Sequence, residues 1–326
     1  MKGSQRFLIV LSLVGLTGLG VGLDWASAAK YPERPIELIV PFGVGGGSDT
    51  AARAIVPALE KVLGTQIVIT NMPGGAGTKG MLHVATQPAD GYTILAVTTS
   101  HLIDAIKPKT RVNLLDDFEP VARYQLDITV VLVGAKTPFK DIKGLIEFGK
   151  KNPRRLLLAG TSPGGWSEIQ TLSFAKEAGI QVTFVPFAGG AEIKAAILGG
   201  HIHGALDEVA ENLPLVKAGE LRPLAVLSEK RHPALPDVPT TVELGIPTTK
   251  GLIRGFAVRK GTPPERVKAL AEAVKKAMED PSYKKFEEEM FLHVRPGYLG
   301  PEAFRKAWED EVTSYREILK EAGFLR

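Results

Sequence analysis

Cysteine is absent from all 326 residues. That excludes disulfides, a cysteine nucleophile, iron–sulfur ligation and a lipid-bearing N-terminal cysteine. After the first 28 residues there is no apolar run of about eighteen residues, so no later segment can span a bilayer. Charge of one sign is also scarce. The net charge is +4, and the basic residues are scattered, with only short clusters such as Lys150-Lys151 and Lys284-Lys285. A solvated surface follows from that pattern, and no nucleic-acid partner is expected.

What is present begins with a targeting pattern. Lys2 and Arg6 precede the apolar, glycine-interrupted stretch 7–23, and Ala26-Ser27-Ala28 fits an A-x-A cleavage site. Cleavage after Ala28 is expected; it removes two bases and one acid and leaves a net charge of +3. An exported chain without lipid or disulfides points to a free periplasmic protein.

The remainder alternates short apolar runs with helical patterns. Strands are expected at Ile36–Pro41, Gln66–Thr70, Thr93–Val97, Thr129–Gly134, Arg155–Ala159, Val182–Val185, His203–Leu206, Leu221–Leu227 and Ile253–Val258. Helices are expected at Asp49–Leu63, Asp141–Lys150, Glu168–Ala178, Ala191–Gly199, Pro264–Glu279, Ser282–Met290 and Pro301–Ala322. Such alternation implies an α/β architecture, with ligands beyond the C-terminal strand ends. Phe304, Trp308 and Tyr315 recur at helical spacing in the last helix and are expected to pack in the core.

The first strand runs into the most informative stretch. Pro41 ends the strand, Gly43, Gly45, Gly46 and Gly47 follow, and Ser48 and Asp49 are N-cap residue types before a helical pattern. A strand, a glycine-rich turn and a helix N-terminus together form an anion site, because uncapped N–H groups and the helix dipole both favour negative charge. The loop has no lysine of the P-loop kind. Gly75-Ala-Gly77-Thr-Lys-Gly80 matches G-x-G-x-x-G, but the next strand ends in Thr98-Thr99-Ser100 without the acid that a dinucleotide ribose needs. No nucleotide cofactor is expected, and the segment reads as a loop at the cleft or as a turn before a helix.

Gly160-Thr-Ser162-Pro-Gly164 matches the nucleophile elbow, and Asp207 with His232 or His293 would complete a serine triad in order. Pro163 argues against an esterase. The residue after the nucleophile must offer an N–H to the oxyanion, and proline has none. The same turn makes better sense as a second anion-holding jaw, with Thr161, Ser162 and Ser167 offering hydroxyls and Gly164 and Gly165 offering backbone. His201-Ile-His203 lacks a third metal ligand at useful spacing, so no metal is expected. Asp207-Glu208 lies at a strand end, where Asp207 either faces the cleft, is solvated, or caps a helix beginning near Asn212. Trp166 either stacks on an aromatic ligand or plugs the core.

Several ordered segments resemble the Bug-type solute-binding proteins of tripartite tricarboxylate transporters. They are Tyr31-Pro-Glu-Arg-Pro35-Ile-Glu-Leu-Ile-Val-Pro41-Phe with Gly45-Gly-Gly-Ser-Asp49, Val68-Ile-Thr-Asn-Met-Pro73-Gly-Gly-Ala-Gly77, Asp90-Gly-Tyr-Thr93, Lys217-Ala-Gly-Glu-Leu-Arg222, Lys230-Arg-His-Pro-Ala-Leu-Pro-Asp-Val-Pro-Thr240 and Gly261-Thr-Pro-Pro264. The resemblance spans nearly the whole chain after residue 28. It implies a two-lobed periplasmic binding protein of type II-like build, each lobe a mixed, mostly parallel sheet flanked by helices. It implies lobe 1 at 29–125 with 228–326, lobe 2 at 126–227, and a hinge between them. It also implies a small carboxylate ligand, di-, tri- or aromatic, delivered to a membrane permease, with neither cofactor nor catalysis, in a monomer; a sensor that passes ligand occupancy to a membrane kinase would share the same fold and pocket. Carried over residue by residue, the ligand would meet Phe42, Gly43, Val44, Gly45, Gly46, Ser48 and Asp49 of the first loop. It would also meet Ser100, the second turn Thr161, Ser162, Gly164, Gly165, Trp166 and Ser167, and Asp207. Gly43-Val44, Pro163 and Trp166 depart from the usual pattern. Two helix N-termini facing across a cleft could hold a carboxylate with backbone donors alone, without a buried arginine.

Overall fold

The structure is a computed structural model that describes residues 31–106, 111–161, 163–321 and Leu325. The targeting segment 1–28 therefore lies outside the described residues. In chain order the elements are β1 (Ile36–Val40), α1 (Gly47–Leu63), β2 (Ile67–Asn71), α2 (Thr78–Thr86), β3 (Thr93–Thr98), α3 (Thr99–Asp104), α4 (Leu114–Asp117) and β4 (Phe118–Leu126). Then come β5 (Thr129–Gly134), α5 (Ile142–Lys151), β6 (Leu156–Thr161), α6 (Trp166–Glu177), β7 (Val182–Phe187), α7 (Gly190–Leu198), β8 (Gly204–Glu208), α8 (Val209–Lys217) and β9 (Leu221–Leu227). The chain closes with β10 (Ile253–Arg259), α9 (Pro264–Ala277), α10 (Pro281–Glu289) and α11 (Pro301–Glu321).

The strands form two five-stranded sheets, ordered β2-β1-β3-β10-β4 and β7-β6-β8-β5-β9. In each sheet a single strand runs against the rest, β10 in the first and β5 in the second. The fold is thus the expected two-sheet α/β architecture. The chain passes from the first sheet to the second between β4 and β5, and returns between β9 and β10. The return is delayed: Thr240 still bridges Val226 in parallel, and Leu235 and Ile246 pack in the second sheet's cores. The two crossings touch, since the Asp127 N–H donates to the Leu252 carbonyl at 2.8 Å. Gly251 is required there, because a Cβ at that position would run into the Asp127 carbonyl oxygen.

Side-chain alternation along the strands places a core on each face of each sheet. On β1, Ile36, Leu38 and Val40 pack with α1, α9 and α10, while Ile39 packs on the other face with α3 and α11. On β5, Val131 and Val133 face one core and Val130 and Leu132 the other. Phe304, Trp308 and Tyr315 of α11 are fully or almost fully buried, as their spacing predicts.

The strand absent from the sequence reading is β4. It carries Pro120, which lacks an N–H, but β4 is an edge of the first sheet, and Pro120 sits beside a register shift opposite Ala257. An edge strand with a bulge tolerates a missing N–H. The short helices α2, α3 and α4 also lacked a long enough periodic pattern to be expected. The G-x-G-x-x-G run forms a single helical turn leading into α2, and its glycines pack against His101 and Pro41.

Candidate functional site

Loops at the C-terminal ends of β1, β3, β6, β7 and β8 converge on one cavity with about 660 Å³ of non-atom space, open solvent at its mouth included. Three of these loops share one local design. The N-cap residues of α1, α6 and α7 are Gly46, Gly165 and Gly189, and none makes a side-chain capping bond. Three residues on, each helix carries an acid that reaches back to the loop. The Asp49 carboxylate accepts from the Gly45 N–H at 2.9 Å, Glu168 from Gly164 at 2.5 Å, and Glu192 from Ala188 at 3.2 Å. The acid fixes the loop and complements the dipole, while the N-cap glycine offers no side-chain acceptor of its own to the first turn.

Of the residues expected at the site, Phe42, Gly43, Gly46, Ser48, Ser100, Thr161, Trp166, Ser167 and Asp207 line the cavity. Val44 does not line it and is 69% exposed. Gly45, Gly164 and Gly165 are in the loops but are not among the lining residues. Ser162 lies outside the described residues. Asp49 is neither an N-cap nor a lining residue. It is the third residue of α1, almost fully buried, and its two oxygens accept from Gly45, Arg53 and Asn71 at 2.9–3.0 Å. Burial alone would raise its carboxyl, but the bonds from Arg53, Gly45 and Asn71 prevail and hold it below the ordinary carboxylate range.

Trp166 plugs the core, the second of its two expected roles, and also borders the cavity. Its ring lies edge-on to Tyr315, with centroids 5.4 Å apart, within a core of the first sheet, and it also lines the cavity. The Trp166 backbone N–H donates to Ser100 Oγ at 3.2 Å, linking the loops after β3 and β6. Asp207 is held by Asn212, whose side-chain amide donates to Asp207 at 2.9 Å and to the Glu208 carbonyl at 2.9 Å. The helix here begins at Val209, not near Asn212, and Asp207 is not its cap.

The residue that sequence reasoning missed is Arg254 on β10, 2% exposed. Its Nε donates to Asp127 at 2.7 Å, one terminal nitrogen to Ser48 Oγ at 3.1 Å, and the other to Glu211. A buried arginine thus lines the cavity, with its nitrogens engaged by Asp127, Ser48 and Glu211. No motif marks Arg254, because it is adjacent to the site only through the second crossing. Burial opposes its charge, but Asp127, Glu211 and Glu208 outweigh that and raise its pKa. Burial also pushes Glu211 up to about 7, against the pull of Arg254 and with Asp207 and Asp127 adding to the rise. Glu208 is raised well above the ordinary range by burial first, then by Asp207 and Glu211. The Glu211 carboxylate rests on the start of α1, where a Cβ on Gly47 would overlap it.

The third jaw, Gly189-Gly190, was also missed. Its signal was available, because Gly46-Gly-Ser-Asp49, Gly165-Trp-Ser-Glu168 and Gly189-Gly-Ala-Glu192 repeat one G-x-x-acid pattern after a strand. His232 and His293 flank Phe291, with ring centroids 5.7 and 6.0 Å away, and neither lines the cavity. His203 accepts from the Leu157 N–H at 3.0 Å beside the rings of Phe139 and Phe148.

Comparison with known proteins agrees with this fold. The family model described as a tripartite tricarboxylate transporter family receptor matches residues 51–324. Protein BugT of Bordetella pertussis is 30% identical over 321 residues, covering 96% of this chain and 97% of its own. A solved R. palustris protein with adipate superposes with a TM-score of 0.84 at 29% identity, covering 90% of this chain and 98% of that one. MatC from Rhodopseudomonas palustris, with bound malate, does so with a TM-score of 0.82 at 26% identity, covering 89% and 100%. Among the described residues no helix is long and apolar enough to cross a membrane. This chain belongs to the tripartite tricarboxylate transporter receptor family, the Bug-type solute-binding proteins.

Proposed function

We propose that this receptor works in the periplasm, released there after cleavage near Ala28, and that it captures a small carboxylate between two lobes and delivers it to a membrane permease. The observation that carries this reading is the convergence of three glycine-capped helix N-termini on one cavity. Their uncapped N–H groups and dipoles suit an anion, and charge-assisted bonds to backbone donors hold it without chemistry. The adipate and malate in the related structures supply the ligand class. The site residues we assign are Phe42, Gly43, Gly46, Ser48, Ser100, Thr161, Trp166, Ser167 and Asp207, with Gly47, Gly189, Gly190 and Arg254 added.

We place the lobes at 31–126 with 251–321, and at 127–250. The hinge is the paired crossings around Asp127 and Gly251, and the protein acts as a monomer. Among the described residues no histidine lines the cavity, and Pro163 removes an oxyanion donor, which argues against a hydrolytic role for Ser162. The test is a thermal-shift screen of mono-, di-, tricarboxylic and aromatic acids on the purified protein. At least one acid should raise the melting temperature, since ligand binding to the folded state alone stabilises it by mass action. If none of the four classes does, the receptor reading fails.

A further inference from the structure

Among the described residues, four helices that begin at the cavity carry an acid three residues after the N-cap: Asp49 in α1, Glu168 in α6, Glu192 in α7 and Glu211 in α8. The first three fold back onto their own loops. Glu211 reaches across the cleft instead. Its carboxylate accepts from Arg254 of the first sheet and rests on Gly47 at the start of α1. Its other oxygen is 3.9 Å from where a Cβ on Gly190 would stand, at the start of α7. A carboxylate of the chain itself therefore lies on the cavity's arginine and between two glycine-capped helix starts. Those are the partners that the carboxylate of a captured acid would use. The Glu211 side chain is 13% exposed and lines the cavity, so a ligand can reach it. Asp127 and Ser48 engage the other nitrogens of Arg254, so an entering carboxylate must take the place of Glu211.

The displaced side chain has little choice of surroundings. Asp207 and Glu208 stand beside it at the end of β8, with one carboxylate oxygen of each of the three within 4.8 Å of the others. Asp127 faces it from the first crossing, and Lys194 of α7 is the second cation near it. The Lys194 Nζ donates to the Glu211 backbone carbonyl at 3.1 Å. Taken off Arg254, an ionised Glu211 would be left in a buried wall next to other acids, and burial and like charge both favour the protonated form. We propose that Glu211 is a displaceable internal carboxylate: the ligand's carboxylate replaces it on Arg254 and the helix starts, and Glu211 takes up a proton from solvent as it leaves. This rests on the receptor reading above and adds the regulation of the same site, since capture then strengthens as pH falls. The sign follows from linkage, because a proton that the ligand brings on is a proton that favours the ligand. The response falls near neutrality. Burial, against the pull of Arg254 and with Asp207 and Asp127 adding to the rise, already pushes Glu211 up to about 7.

Titration calorimetry on the purified protein tests it, with malate, adipate, propionate, benzoate, propane-1,2,3-tricarboxylate and every acid that raises the melting temperature in the screen above. Each acid is run in two buffers that differ in ionisation enthalpy, which counts the protons exchanged. An acid that binds should bring more than about half a proton onto the protein at pH 8, and its affinity should fall about tenfold from pH 7 to pH 8.5. Glu211→Gln keeps the length and an acceptor for Arg254 but does not titrate. Proton uptake and pH dependence should both vanish in it, and its binding at pH 8.5 should be tighter than in the wild type. Glu211→Ala gives the same readout if the glutamine variant does not melt cooperatively. If an acid binds the wild type without proton uptake, the displacement is overturned and the carboxylate receptor stands. It is also overturned if the uptake survives in the variant. If no acid binds at any of these pH values, the receptor reading falls and the displacement with it.

Discussion

Replacing Arg254 by methionine removes the one guanidinium that joins β10, the first crossing, the start of α1 and the start of α8. Methionine approximates the length of the stem but leaves the carboxylates of Asp127 and Glu211 without their partner. Asp127 is 1% exposed, so water cannot take the place of the arginine. Breaking a buried pair from one side costs about 3–5 kcal/mol, because a charge is stranded. With a urea slope of about 2 kcal/mol per molar, the unfolding midpoint should fall by about 1.5–2.5 M. The loss should depend on pH in a fixed direction. Glu211 in the folded protein titrates near 7, above the usual carboxylate, so the folded state holds the proton more tightly. Its contribution therefore favours folding below the unfolded value and fades as pH climbs through about 7. At pH 5 Glu211 is protonated with or without the arginine, so that half of the loss disappears; at pH 8 it is complete. Urea melts at both values should show a cost at least about 1 kcal/mol smaller at pH 5, one unit of pKa being about 1.36 kcal/mol. A cost below about 1 kcal/mol at pH 8, or an equal cost at both values, would refute this account of the arginine.

Gly47→Ala should weaken ligand binding at least tenfold in a calorimetric titration and lower stability by about 1–3 kcal/mol, since its methyl overlaps the Glu211 carboxylate; an unchanged melt would mean that Glu211 moves freely. Asp49→Ala should cost about 2–3 kcal/mol at neutral pH, because three donors lose a charged acceptor. Its carboxyl is held low in the folded state, so that contribution is present above the unfolded value of about 4 and is lost as pH falls further. The difference between wild-type and variant melts should accordingly shrink on acidification, and a constant difference speaks against it. Gly251→Ala should destabilise by about 1–3 kcal/mol, since the new Cβ meets backbone rather than a movable side chain; a wild-type melting temperature would show that the crossings can separate at no cost.

Much of this protein was legible along the chain because the signals are local. Strand β5, from Thr129 to Gly134, carries a β-branched run and β9, from Leu221 to Leu227, a short apolar one, and the structure has both at the expected residues. Glycine after a strand and an acid three residues into the next helix mark α1, and the same pattern was there to be read at Gly165 and Gly189. These features depend on backbone propensity and helix-end chemistry within about ten residues, so sequence alone determines them. It also determined the family, through many short segments in order.

Tertiary structure decided what lies between the segments. Pro120 is tolerated in β4 only because that strand ends a sheet, and edge position is not a property of nine residues. Arg254 reaches Ser48 and Glu211, 206 and 43 positions away, only because β10 returns to the first sheet beside β3. The charge balance of the cleft follows from those contacts. Local chemistry therefore determined that anions are welcomed at the helix starts. Which side chains surround those helix starts, Arg254 and Glu211 among them, was decided by long-range packing that no motif encodes.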